Sequence, residues 1–159
     1  MYKKILVPID GTEFAEQSIE CAKALAGGDE AAEVVLLQVI EHNPQINDIG
    51  GLSSERWYRD AQARCQAKVK KYISQVTNKL KEDGIAVKST ITQGRVADEI
   101  INYTKNSQAD LIVMNSHRRS GISRLLHGSV ADEVLRHSAV PVLLVEPCSN
   151  SEQNPSLAN

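Results

Sequence analysis

The chain has 159 residues, a formal net charge of −2, and only one Trp, four Tyr and one Phe. That length suits one domain with a two-sided core, while balanced charge and few aromatic rings argue against a dedicated nucleic-acid surface. No apolar run is long enough to span a membrane, no signal-peptide core precedes the first strand pattern, and Cys21, Cys65 and Cys148 form no C-x-x-C pair; the expectation is a cytoplasmic protein without a membrane segment or zinc site.

Ile5-Leu6-Val7-Pro8-Ile9 is a short apolar run and reads as a central parallel strand. Asp10-Gly11-Thr12 breaks it, and Thr12 is placed to cap a helix whose first turn holds Glu13 and Glu16. Phe14, Ser18, Cys21, Ala22 and Leu25 recur at helical spacing until Gly27-Gly28. Val34 to Ile40 is a second strand, followed by a loop-like stretch from Glu41 to Leu52. Ser53 or Ser54 then caps a long helix with an apolar stripe at Trp57, Ala61, Cys65, Val69, Tyr72, Val76 and Leu80, read as core. Gly84 ends it.

Ile85 to Thr92 alternates apolar and polar residues, as a half-exposed strand near a sheet edge does. Gly94 leads to a helix with Val96, Ala97, Ile100, Ile101 and Thr104 on its inner side, and Leu111–Met114 is a fourth strand. Asn115, Ser116, His117, Arg118, Arg119, Ser120, Gly121, Ser123 and Arg124 follow as a small, polar and cationic loop. Gly128-Ser129-Val130 reads as the first turn of a helix carrying Ala131, Val134 and Leu135, and Pro141 to Glu146 as a fifth strand. Residues 1–147 form one domain on this reading, and 148–159 a flexible C-terminal tail.

Strands alternating with helices imply an α/β fold: a single doubly wound domain, with a five-stranded parallel sheet covered by helices on both faces. Ligands of such sheets bind outside the C-terminal strand ends, where the strand order reverses. If the first and fourth strands are neighbours there, Pro8-Ile9-Asp10 faces Asn115-Ser116-His117 across a crevice. A loop with three arginines that meets a helix start through Gly-Ser is a candidate anion site, because helix-start N–H groups point outward with partial positive charge.

The opening run Ile5 to Thr12, the segment Gly94-Arg95-Val96-Ala97-Asp98-Glu99-Ile100, and the closing stretch from Gly128-Ser129-Val130 to Pro141-Val142-Leu143-Leu144-Val145 together resemble the universal stress protein family, the UspA-like domain. The resemblance covers about Met1 to Glu146. It implies a fold of the adenine-nucleotide α-hydrolase type, a homodimer, and in many members a bound adenine nucleotide, ATP or AMP, with Mg2+ as an optional companion. The family's phosphate motif is Gly, two residues, Gly, nine residues, Gly, then Ser or Thr. The matching positions here are Asn115, Arg118, Gly128 and Ser129, so the first two glycines are replaced. Asn tolerates the left-handed backbone region better than most residues. Arg118 either obstructs the phosphates or offers them a guanidinium fork. By the same resemblance Asp10 hydrogen-bonds the nucleoside, the Val39 backbone meets the adenine edge, Pro8 shapes the wall, and Ser129 reaches a phosphate. Met114, Ser116, His117 and Val130 complete the expected nucleotide-binding set. The resemblance also implies dimerisation through the fifth strand, Val142–Val145.

The chain contains no G-x-x-x-x-G-K-[ST] loop, no G-x-S-x-G elbow, no Ser-Gly-Gly-x-Asp-Ser segment and no His-x-Gly-His segment. His42, His117, His127 and His137 show no metal-ligand spacing. The expectation is a regulator rather than an efficient enzyme, with at most slow, incidental ATP hydrolysis. Two readings remain at this point: a nucleotide-binding stress-response module whose unknown protein partner depends on the bound nucleotide, and an interaction dimer that keeps the fold without the nucleotide.

Overall fold

Among the described residues nine elements alternate: β1 (Lys4–Ile9), α1 (Glu13–Ala26), β2 (Glu33–Glu41), α2 (Leu52–Glu82), β3 (Ala86–Gly94), α3 (Val96–Ser107), β4 (Leu111–Asn115), α4 (Ser129–His137) and β5 (Val142–Val145). The computed structural model describes residues 2–27, 32–41, 52–116 and 129–146. The loop expected after β2, the residues His117, Arg118 and Gly128, and the tail 148–159 lie outside the described residues.

The five strands form one all-parallel sheet in the order β3-β2-β1-β4-β5. The chain winds outward from β1 to β3, then returns to the other side of β1 to lay down β4 and β5. Strand order therefore reverses between β1 and β4. Side chains alternate across the sheet, so one run of apolar residues serves two cores. Ile5, Val7, Val34, Leu36, Leu111 and Val113 pack with Ala15, Ile19 and Ala22 of α1 and with Ile73 and Leu80 of α2. Leu6, Val35, Leu37, Ile112 and Met114 pack on the opposite face with Ala97 and Ile100 of α3 and with Ala131 and Val134 of α4. The half-exposed strand expected near an edge is β3, which is the outermost strand.

Two expectations change in detail. Thr12 stands at the N-cap of α1, but its side chain makes no cap hydrogen bond; the hydroxyl donates instead to Asp10 Oδ1 at 2.7 Å. Of the expected α2 stripe Leu80 is buried and Tyr72 and Val76 are partly buried against the core; Ile73 and Thr77, outside that stripe, are buried as well, whereas Cys65 is exposed. Length explains this. At 31 residues α2 is about 46 Å long, while a nine-residue strand spans about 30 Å. Its C-terminal half covers the sheet, and its earlier turns run past the C-terminal strand ends.

A crevice at the point where strand order reverses

The strand ends around β1 are not equally closed. β1 pairs with β2 from Lys4↔Glu33 to Ile9↔Gln38, and β4 pairs with β5 as far as Asn115↔Val145. Between β1 and β4 the register covers Ile5↔Leu111 and Leu6↔Ile112 and stops there. Ladder pairing between the two central strands therefore ends at Leu6 and Ile112, and the C-terminal edge beyond, where strand order reverses, is the crevice expected from the topology. Pro8, in the half of β1 beyond that pairing, has no N–H to contribute to a ladder. Half-buried, it pairs with Leu37.

Asp10 sits exposed where β1 ends. Its Oδ1 accepts hydrogen bonds from Thr12 N–H at 3.0 Å and from the Thr12 hydroxyl. This turn needs Gly11, whose φ of +79° strains any residue with a Cβ. Val39, half-buried in β2, pairs with Thr92 and packs on the α3/α4 side. Met114 is buried on that same side. Asn115 closes β4, and its amide oxygen accepts from the Ser18 hydroxyl of α1. Ser116 is 1% exposed; its N–H donates to Val145 O at 3.2 Å, and its hydroxyl has no hydrogen-bond partner among the described residues.

The helix α4 starts at Ser129 and must run back from the C-terminal edge, because β5 is parallel to β4. Ser129 is exposed, and Val130 packs inward on the α3/α4 core. Arg95 fixes the angle of this helix. It grips Glu133 in a two-pronged ion pair, Nη1 to Oε1 and Nη2 to Oε2, each at 2.6 Å. Glu133 raises the affinity of the guanidinium for its proton, with a smaller contribution from Asp98.

The crevice thus collects Pro8, Asp10, Val39, Met114, Asn115, Ser116, Ser129 and Val130 at one edge of the sheet. It offers a carboxylate, a carboxamide, hydroxyls and the N–H groups of a helix start, a set suited to a polar anionic ligand. Among the described residues, no group of three or more His, Cys, Asp or Glu could hold a metal.

The universal stress protein family matches residues 1–146. The chain belongs to the universal stress protein family. Universal stress protein MJ0577 of Methanocaldococcus jannaschii is 32% identical over 156 residues, covering 92% of this chain and 96% of the relative. Its solved structure gives a TM-score of 0.80 over 95% of this chain and 99% of that one. A family protein from Arabidopsis thaliana solved with AMP bound is 19% identical, with a TM-score of 0.66 over 97% of this chain and 96% of its own. A universal stress protein solved in complex with cAMP is 18% identical, with a TM-score of 0.63 over 91% and 96%.

In this universal stress protein, Asn115 replaces a motif glycine without projecting its side chain toward the α4 side. Alternation along β4 turns Asn115 to the α1 face, where its amide oxygen accepts from the hydroxyl of wholly buried Ser18. His117, Arg118 and Gly128 of the expected set lie outside the described residues.

Three groups here escape a motif search. Ser18 stands in the inner face of α1, Gln38 interrupts the apolar run of β2, and Tyr72 belongs to the stripe of α2. A glutamine inside a fully buried strand is itself a signal, since buried polar side chains are uncommon without a reason. The Tyr72 phenol is held above its usual ionisation range by burial first, then by the carboxylates of Glu16 and Asp10. Replacement by phenylalanine should remove the absorbance component that ionises above pH 10.0, the ordinary tyrosine value. If the component lost in Tyr72→Phe ionised at the ordinary tyrosine value instead, the ring would not be in this field.

Proposed function

We propose that this universal stress protein binds an adenine nucleotide, ATP or AMP, in the crevice between β1 and β4, and acts as a cytoplasmic regulatory module of the stress response. The end of β1–β4 ladder pairing at Leu6 and Ile112 carries the reading, since it falls where strand order reverses. The relatives solved with AMP and with cAMP support it. Asp10 and the Val39 backbone hold the nucleoside, Pro8 and Met114 form the wall, and Ser116, Ser129 and Val130 meet the phosphates with Asn115, His117, Arg118 and Gly128. Where Mg2+ accompanies a triphosphate, phosphates and water supply most of its ligands, as is usual for this ion. The bound state would be read by a protein partner.

The test is mass spectrometry of whatever copurifies with the protein, followed by calorimetric titration with ATP and AMP. The expected result is bound adenine nucleotide and saturable binding of at least one of the two. No binding of either would leave the interaction dimer as the reading.

The dimer is proposed to form through β5 of two chains. β5 is an edge strand of Val142-Leu143-Leu144-Val145, and Leu143 is 39% exposed with Leu135 of α4 38% exposed. An open apolar edge invites pairing, and a two-fold axis closes it without leaving a new edge. Sedimentation at micromolar concentration should give twice the chain mass, and Leu143→Glu should shift it to the monomer. A wild-type monomer would remove the dimer from this proposal.

A further inference from the structure

Gln38 is 7% exposed in the C-terminal half of β2, and its Oε1 has no hydrogen-bond partner among the described residues. An unpaired acceptor this deeply buried is destabilising unless something supplies its proton. Alternation along β2 directs the side chain to the α1/α2 face, opposite Val39. A Cβ placed on Gly11 would stand 3.9 Å from Gln38 Nε2, so the carboxamide lies beneath the turn that carries Asp10. The Tyr72 hydroxyl, also without a partner, is a second buried polar atom, on a ring within the electrostatic reach of Asp10 and Glu16.

We infer that Gln38 is a specificity-determining residue of the proposed nucleotide site, its buried carboxamide oxygen accepting from the 6-amino group of the purine. This rests on the nucleotide reading above and adds to it a residue and a selection rule. The chemistry is one-sided. A 6-aminopurine donates where Gln38 Oε1 accepts. A 6-oxopurine presents a carbonyl at that position and leaves Gln38 Oε1 unpaired. Carboxamides pair with the amino edge of adenine in the same sense elsewhere.

The experiment compares ATP with inosine triphosphate, which differs at the 6-position and lacks the 2-amino group that could exclude guanine by size. Both are titrated calorimetrically into wild type and Gln38→Leu, with Gln38→Met as a second variant should the leucine protein fail to fold. Wild type should prefer ATP by about tenfold or more, and the variants should hold the two within about threefold, the scale of one buried hydrogen bond lost. The melting temperature should not fall, since an unpaired acceptor is being replaced by an apolar group of similar size. Equal binding of the two nucleotides by wild type, or an unchanged preference in the variants, overturns the role of Gln38 while nucleotide binding stands. Failure of wild type to bind either overturns the nucleotide reading and this assignment with it.

Discussion

Asp10→Ala is expected to weaken adenine-nucleotide binding ten- to hundredfold. Losing a hydrogen bond to a charged group costs about 1.5–3 kcal/mol, and Asp10 stands at the mouth of the crevice between β1 and β4. The same carboxylate also holds the turn into α1 through Thr12 N–H and the Thr12 hydroxyl. Alanine therefore removes two things at once, and the turn alone is worth about 1 kcal/mol of stability, as helix-start acceptors generally are. Asp10→Asn separates them, because its amide oxygen still accepts from Thr12 while the charge is gone. The asparagine protein should melt near wild type and bind between wild type and alanine. Equal calorimetric affinity for all three would show that Asp10 is a turn residue and nothing more.

The largest stability effect is expected from Leu36→Ala, a loss of about 2–5 kcal/mol in unfolding free energy. Leu36 has no exposed surface, and its strand is hydrogen-bonded on both sides, with Val7 and Ser89 as its register partners. Its side chain belongs to the core under α1 and α2, where neither the sheet nor the helices can readily close on a cavity. Since whole domains are stable by about 5–15 kcal/mol, the variant stands near the limit of folding. Urea unfolding measures it through the midpoint at constant slope. A loss below about 1 kcal/mol would mean that this face of the sheet is not sealed as described. Leu143→Ala is the internal contrast, because that leucine lies on the open edge and is already partly in water.

The lifted ionisation of Tyr72, the unpaired Gln38 Oε1 and the turn at Asp10 concern one place, the α1/α2 side near the ends of β1 and β2. The other half of the crevice, on the α3/α4 side, is built from Ser116 and the start of α4, which Arg95 braces against α3. A nucleotide spanning the two halves would meet its base-selecting groups on one face and its anion-binding groups on the other. On the proposed reading, that division would let base preference and phosphate number be varied separately, by Gln38 in one case and by residues of the β4–α4 connection in the other.

The five strands, the four helices and most of their ends were legible in the sequence, because the signals are local. Short apolar runs such as Val34–Ile40 bury both sides of a strand, spacing of three and four marks α3, and Gly84, at a φ of +79° that favours glycine, follows the end of α2. The candidate site residues were named through the family resemblance, position by position. What the local pattern did not contain was decided in three dimensions. Whether β1 lies beside β4 depends on where a crossing helix packs, and the chain places them together with ladder pairing that ends at Leu6 and Ile112. Asn115 meets Ser18 across 97 residues, so no window of sequence shows that the side chain replacing a motif glycine turns to the α1 face. Cys65 follows the same helical stripe as Leu80 yet is exposed, because periodicity sets the face of a helix and not how far the sheet beneath it extends. Gln38 was visible as a polar residue in an apolar run, but only burial against Gly11 without a partner for its oxygen makes it a candidate reader of a ligand: a side chain's hydrogen-bonding need is fixed by its chemistry, and whether that need is met is settled by what the rest of the chain brings near it.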